Sequence, residues 1–341
     1  MRVARLYGVR DLRLTDEPRP ADLPPGHSLV RVTAVGLCGS DLHWFAEGGI
    51  GDAVLDAPLV LGHEFAGIAE AGPHAGRRVA VDPAISCGTC ESCLEGNRNL
   101  CPTVRFAGHG RQDGGLREWL AWPSHLLHPL PDEISDAGGA VLEPLGVALH
   151  TLDLGHLRAG TTAAVVGCGP IGLLLVELVR AAGAATVVAV EPLEHRRRIA
   201  LERGADAALT PAEAHAGGLL DVTGGRGVDV AFEVAGTDDA VDLAMRAARP
   251  GARVVLAGIP DDDRMSFSAS LARRKGLSII MVRRMKDVYP RAIALARRGT
   301  VSLELLVTDR FELVDAADAF DSAVRRTSLK TVIQMQGGDP C

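Results

Sequence analysis

Aromatic side chains are scarce in this chain of 341 residues: three Trp, two Tyr and seven Phe make up 4%. Its cores therefore have to be filled mainly by Ala, Val, Leu and Gly, sizes that suit close packing of helices on a sheet. An excess of basic charge is also missing. Lys and Arg number 36 against 43 Asp and Glu, the net charge is −7, and the pI is near 5.9. That balance gives no electrostatic reason to bind nucleic acid or an anionic membrane. Cysteines are few and odd in number, seven in all. No secretory segment is visible, because Met1–Arg5 leads into alternating residues. Both features argue against a disulfide framework and for a reducing compartment, the cytoplasm. The longest uncharged run, Ala159–Val176, is broken by Gly167, Gly169, Pro170 and Gly172, so it reads as strand, turn and helix, not as a membrane span.

The length allows two domains, each with its own core. Up to about residue 145 the chain reads as short strands and turns, among them His27–Val35, Phe65–Glu70 and Arg78–Pro83. Beyond about residue 150, strand-like and helical runs alternate. Strands are predicted at Thr162–Val166, Thr186–Val190, Ala207–Leu209, Asp229–Val234, Arg253–Ala257 and Ser278–Val282. Helices are predicted at Pro170–Ala182, Leu193–Arg203 and Ala240–Ala248. This alternation predicts a parallel, doubly wound six-stranded sheet. After residue 285 the pattern breaks into helices at Tyr289–Arg298 and Ala316–Arg325 and a strand at Thr331–Met335. The last residues read as a frayed tail, and neither Cys341 within it nor Cys168 has an evident role.

Four of the seven cysteines stand within fifteen residues: Cys87, Cys90, Cys93 and Cys101. Four thiolates saturate a tetrahedral zinc and leave no position for substrate, so this lobe reads as a structural site. An iron–sulfur run would place three residues before its Cys-Pro, and here there are seven. A zinc-ribbon nucleic-acid module would want a basic surface.

Gly167-Cys168-Gly169-Pro170-Ile171-Gly172 is a G-x-G-x-x-G run that follows a predicted strand and opens a predicted helix. Gly167 permits the turn, Gly169 lets a pyrophosphate approach, and Gly172 lets helix pack on sheet. The helix N-terminus offers N–H groups to phosphate. Glu191, 24 residues after Gly167, ends the next strand and is placed to accept from the adenosine ribose. Its carboxylate repels a 2′-phosphate and favours NAD over NADP. Arg196, Arg197 and Arg198 could welcome that phosphate, but they fall a turn or more into the next helix.

Cys38, His63 and Glu64 suggest a second metal site, one that keeps a coordination position open. The third protein ligand is either Glu64 or Glu143, in Leu142-Glu143-Pro144-Leu145. Taken singly, Cys38 and His63 would be ordinary core residues; their company with a cysteine lobe and a nucleotide fold gives them weight.

With these parts in place, the sequence resembles the zinc-dependent medium-chain dehydrogenase/reductase superfamily over nearly its whole length. The marker is Gly62-His63-Glu64-x-x-Gly67. Within the superfamily it is most similar to the polyol branch of sorbitol, xylitol and L-idonate dehydrogenases. That likeness rests on Cys38-Gly39-Ser40-Asp41-Leu42-His43, Glu143-Pro144-Leu145 and Arg283-Arg284-Met285 running on to Pro290. The resemblance implies a GroES-like β-rich catalytic domain from residues 1–148 and 286–341, carrying the zinc lobe 87–101. A Rossmann domain at 149–285 is inserted in it, with substrate bound where the two meet. It implies two zinc ions per chain, one catalytic on Cys38, His63 and Glu64 or Glu143 and one structural, together with NAD on the glycine loop, Glu191 and Arg196. Ser40 and His43 would pass the alcohol proton outward, and Arg284 would face substrate hydroxyls.

Trp44 and Met285 stand where that group often has tyrosine, which leaves the particular polyol open. Phe106 lines the same pocket or belongs to the core. Many sorbitol dehydrogenases lack the four lobe cysteines that this chain keeps. The expected reaction moves hydride from a secondary alcohol of a polyol or sugar acid to nicotinamide, acidified by the metal. A ketone reductase, a threonine-type amino-alcohol dehydrogenase and a non-catalytic nucleotide-binding relative are the alternatives. A small-molecule substrate and a homo-oligomer, dimer or tetramer, are the expected partners.

Overall fold

The computed structural model describes residues 1–260 and 263–335. Cys341 and the C-terminal tail lie outside the described residues. The chain forms two compact units, Met1–Pro144 with the segment from Tyr289 onward, and Leu145–Val288.

The first unit is built on His27–Gly36, a strand rich in Val and Thr that is buried along most of its length. It pairs with Glu64–Ala69, Trp119–Pro123 and Lys330–Gln334, all antiparallel, within a seven-stranded sheet. The rare aromatics concentrate here. Trp44, Phe45, Phe65, Trp122 and Phe320 are each about 1% exposed or less. Phe45 meets Phe320 at 4.9 Å between ring centroids, and Phe65 meets Trp122 edge-on at 6.1 Å. Each such ring buries about 150–250 Å², so a few suffice for this core.

Register does the positioning. Gly36 stands opposite Glu64 on one side and opposite Val332 on the other, two residues from Lys330. A side chain at Gly36 would collide with the Glu64 carboxylate, so glycine is what admits that carboxylate.

Two helices of this region were not expected. Gly39–Glu47 and the 20-residue helix Asp136–Gly155 lie in a stretch that reads as strands and turns. Pro144 and several glycines hide the second one from pattern reading. Gly139 is small because an added Cβ would stand 2.6 Å from Leu130 Cδ1 and 2.9 Å from Ala66 Cβ. Pro144 lies inside the helix, where it gives up the N–H bond to the Ala140 carbonyl and sets its ring against that carbonyl. Ser135 Oγ accepts the Gly138 N–H at 3.0 Å and caps the start.

The second unit holds a six-stranded parallel sheet. In space its order is Ala207–Leu209, Thr186–Val190, Thr162–Val166, Val228–Glu233, Ala248–Leu256, Ser278–Met281. Helices Pro170–Ala181, Glu194–Glu202 and Asp238–Ala247 connect the strands. Strand order reverses between Thr162–Val166 and Val228–Glu233. In sheets of this kind, ligands bind beyond the strand C-termini at that reversal. Among the described residues no helix is long and apolar enough to cross a membrane.

Candidate active site

The sulfur of Cys38, a ring nitrogen of His63 and a carboxylate oxygen of Glu64 lie within 4.8 Å of one another. Cys38 begins the helix Gly39–Glu47, and Glu64 begins the strand Glu64–Ala69. Thiolate, imidazole and carboxylate at this spacing are a zinc donor set. Cys38 is partly accessible, while His63 and Glu64 are buried.

Two residues that sequence reading passed over complete this centre. Asp41, fully buried, accepts the Cys38 N–H at 2.9 Å and the Gly62 N–H at 3.1 Å. The same carboxylate lies 3.4 Å from His63 Nδ1. Burial alone would raise the Asp41 carboxyl, but His63 and the two amides outweigh it and hold it below its ordinary value. Burial opposes charge on His63 as well; Asp41 and Cys38 outweigh it and hold the imidazole well above its usual value. A carboxylate on Nδ1 fixes the ring and turns Nε2 outward, the usual arrangement behind a metal-bound histidine. His63 Nε2 lies 3.5 Å from Ser40 Oγ.

Lys330 is the second. Its Nζ donates to both Glu64 oxygens at 2.7 Å and to the Leu37 carbonyl at 3.0 Å, in a site 3% exposed. Burial would lower its pKa; Glu64, then Cys38, outweigh that and raise it. A carboxylate has about four lone-pair positions, so Glu64 keeps capacity for a metal beside the ammonium. The signal in the sequence was only a lysine opening an apolar strand.

Glu143, in the middle of the helix Asp136–Gly155, is buried but falls outside the 4.8 Å group. Burial pushes its carboxyl up to about 7, with His63 pulling down and Glu64 pushing up, so it senses the same centre. The Phe106 ring lies 5.2 Å from the His63 ring. Trp44 is 1% exposed and edge-on to His109 at 5.4 Å, its Nε1 buried without a hydrogen-bond partner. His43 shares a helix face with Ser40, and its Nδ1 is 3.1 Å from Glu47 Oε1. In the second unit, Arg284 is partly buried with a left-handed backbone, φ +52°, and Met285 is buried.

Cys87, Cys90, Cys93 and Cys101 bring their sulfurs within 4.8 Å of one another. Amides point at these sulfurs. Cys90 N–H meets Cys87 Sγ at 3.3 Å and Cys87 N–H meets Cys101 Sγ at 3.4 Å. Hydrogen bonds from Thr89 and then Cys90 draw the Cys87 thiol down to about 5. Such bonds favour thiolate, the form that binds metal.

The glycine loop of the second unit divides by role. Gly167 has φ +99° and lies against Ala235, and a side chain at Gly172 would collide with the Gly167 carbonyl. Gly169 differs: its backbone is ordinary, φ −68°, and an added Cβ would meet only Arg196 Nη1 at 3.9 Å. Packing within the protein does not demand glycine at 169, whereas a pyrophosphate drawn up to the backbone would. Pro170 takes the first helical position, where its missing N–H costs nothing, and Ile171 follows. Glu191 is 4% exposed; it accepts the Cys168 N–H at 2.7 Å and the Leu193 N–H at 3.1 Å, tying the loop to the end of the next strand. Arg197 Nη1 donates to the Glu191 carbonyl at 2.8 Å. Cys168 is buried, and burial followed by Glu191 raises its thiol above the ordinary range.

Comparison with known proteins identifies the family of each unit. The model of the alcohol dehydrogenase GroES-like domain matches residues 24–132, and that of zinc-binding dehydrogenase matches 170–298. Sorbitol dehydrogenase of Bacillus subtilis is 33% identical over 332 residues, covering 95% of this chain and 94% of that protein. The crystal structure of L-idonate 5-dehydrogenase from Escherichia coli superposes with a TM-score of 0.90 at 27% identity, covering 98% and 97% of the two chains. A Sinorhizobium meliloti protein described as a zinc-binding dehydrogenase, solved with NADP, superposes with a TM-score of 0.88 at 31% identity, covering 98% of each. The chain belongs to the zinc-binding dehydrogenase family, and it is an oxidoreductase of the medium-chain type with a GroES-like unit and a Rossmann unit.

Proposed function

We propose that this protein oxidises a secondary alcohol of a polyol or sugar acid with NAD⁺, using one catalytic and one structural zinc per chain. The reading is carried by the cluster of Cys38, His63 and Glu64 in a chain that also presents an open Gly169 at a helix N-terminus. The substrate class is supported by relatives named sorbitol dehydrogenase and L-idonate 5-dehydrogenase.

Residues 1–148 and 286–341 serve as the catalytic domain and 149–285 as the cofactor domain. Cys38 and His63 hold the catalytic ion with Glu64 or Glu143, and the four lobe cysteines hold the structural one. A zinc ion so held supplies Lewis acidity that lowers the pKa of an alcohol oxygen, and the oxidised nicotinamide supplies a hydride acceptor. Asp41 keeps the His63 ring oriented. Ser40 takes up the alcohol proton and His43 relays it outward, a task suited to an imidazole. Trp44, Phe106 and Arg284 orient the substrate. Gly167, Gly169, Pro170, Ile171 and Gly172 receive the pyrophosphate, Glu191 the adenosine ribose, and Arg196 the phosphate side of the loop. The carboxylate of Glu191 favours NAD; the relative solved with NADP makes the phosphorylated cofactor the second reading.

The subunits assemble as a dimer or tetramer in the cytoplasm. The edge strand Ser278–Met281, with Met281 64% exposed, supports self-association. Metal analysis and NADH or NADPH formation across polyols, aldonates and threonine test the proposal. About two zincs per chain and NADH from a polyol or aldonate are expected. Threonine as the preferred substrate, or one zinc and no turnover, would overturn it.

A further inference from the structure

Glu233 is the last residue of the strand Val228–Glu233 and is completely buried. Its Oε1 accepts the Ala235 N–H at 2.7 Å and the Gly236 N–H at 2.6 Å. Its Oε2 is buried with no donor in hydrogen-bond geometry, although the Gly258 amide exerts a pull on it. Its own carbonyl accepts from Ala257 at 2.8 Å and Gly258 at 3.2 Å. A side chain at Gly258 would collide with the Gly236 amide, and one at Gly236 with the Ile259 carbonyl. One carboxylate therefore underlies two loops pressed together at the C-terminal ends of adjacent strands. Burial outweighs the pull of the Gly236, Ala235 and Gly258 amides and holds this carboxyl above its ordinary value. No cation pairs with it among the described residues. A buried anion is costly, and the described residues compensate this one with the Ala235 and Gly236 amides on Oε1 and with no counter-ion.

The place of Glu233 suggests what the charge serves. Glu233 pairs in register with Val166, next to the glycine loop, and Ala235 touches Gly167. The sheet reverses its strand order at this point. One mononucleotide half sits on the strands that carry the glycine loop and Glu191, so the other half falls over the ends of Val228–Glu233 and Ala248–Leu256. We infer that Glu233 is a positioning residue for the nicotinamide, holding the 234–237 and 257–259 loops and placing a fixed negative charge beneath the cationic oxidised ring. This rests on the dinucleotide reading proposed above.

The test is equilibrium binding of NAD⁺, NADH and ADP-ribose to the zinc-loaded full chain, wild type against Glu233→Gln and Glu233→Asp. The Gln variant keeps shape and loses charge. Its NAD⁺ dissociation constant is expected to rise on the order of tenfold, NADH much less, and ADP-ribose within about twofold of wild type. The Asp variant keeps the charge and the wild-type NAD⁺ to NADH ratio. Equal weakening of all three ligands by Glu233→Gln, or an unchanged NAD⁺ to NADH ratio, would overturn the inference and leave Glu233 a structural residue. If the Gln variant does not fold, a shifted ratio in the Asp variant overturns it, and so does failure of both to fold. A wild-type chain that binds none of the three ligands overturns the dinucleotide reading itself, and this inference with it.

Discussion

Replacing Lys330 with methionine tests the electrostatics of the candidate metal centre without touching a metal donor. Lys330 Nζ lies 2.7 Å from both oxygens of Glu64, and the two side chains are 3% and 0% exposed. At that distance and an effective dielectric of 20, the attraction is roughly 6 kcal/mol. Removing two ions from water costs several kcal/mol each, so the intact pair contributes little net stability. Removing one partner is different. Glu64 would keep its burial and lose its counter-ion, and the Leu37 carbonyl would lose its donor, for a cost of about 3–5 kcal/mol.

For a unit of this size each kcal/mol lowers the melting temperature by about 2–4 °C, so the expected fall is on the order of 6–20 °C. The assay is calorimetry with a chelator present, on wild type, Lys330→Met, Glu64→Gln and the double variant. The double variant should lose at least about 2 kcal/mol less than the sum of the singles. Added zinc supplies Glu64 with a second positive neighbour, so the Lys330→Met penalty should shrink in the metal-loaded protein. A Lys330→Met loss under about 1 kcal/mol, or strict additivity with Glu64→Gln, would refute this reasoning.

Asp41→Asn removes the charge behind His63 Nδ1 and should weaken zinc at the Cys38 centre about 10–100-fold, read by chelator competition; unchanged affinity would remove Asp41 from the centre. Cys93→Ser breaks the four-sulfur cluster, so native mass spectrometry should find about one zinc per chain instead of about two, and a lower melting temperature; a retained pair of ions would count against the lobe as a metal site. Gly169→Ala should fold like wild type, because its backbone is ordinary and its surroundings open, yet bind dinucleotide at least about tenfold more weakly. Gly172→Ala should lower the melting temperature, because its side chain has no room against the Gly167 carbonyl; equal thermal losses in the two variants would contradict the division of roles.

Much of the chemistry was legible along the chain. The four lobe cysteines are close in sequence, and so are the three glycines with Glu191, because each set is held by a single local turn or by one strand–helix unit. Alternating strands and helices fixed the parallel sheet for a similar reason: the period of apolar residues reports a local backbone and the face it buries. The helix Asp136–Gly155 escaped that reading. Its Gly139 answers to Leu130 and Ala66, residues outside the helix, and sequence pattern registers only neighbours along the chain.

The centre around Cys38 is where sequence alone ran out. Cys38, His63 and Glu64 could be named from their motif, but the partners that make them a centre could not. Lys330 reaches Glu64 across 266 residues because the final strand pairs with His27–Gly36 on the side opposite Glu64–Ala69. Asp41 reaches His63 and Gly62 because the helix after Cys38 turns it inward. A buried charge is tolerable only where another part of the fold delivers its counterpart. Residue types set which ligands the chain can offer; strand register decided which of them meet.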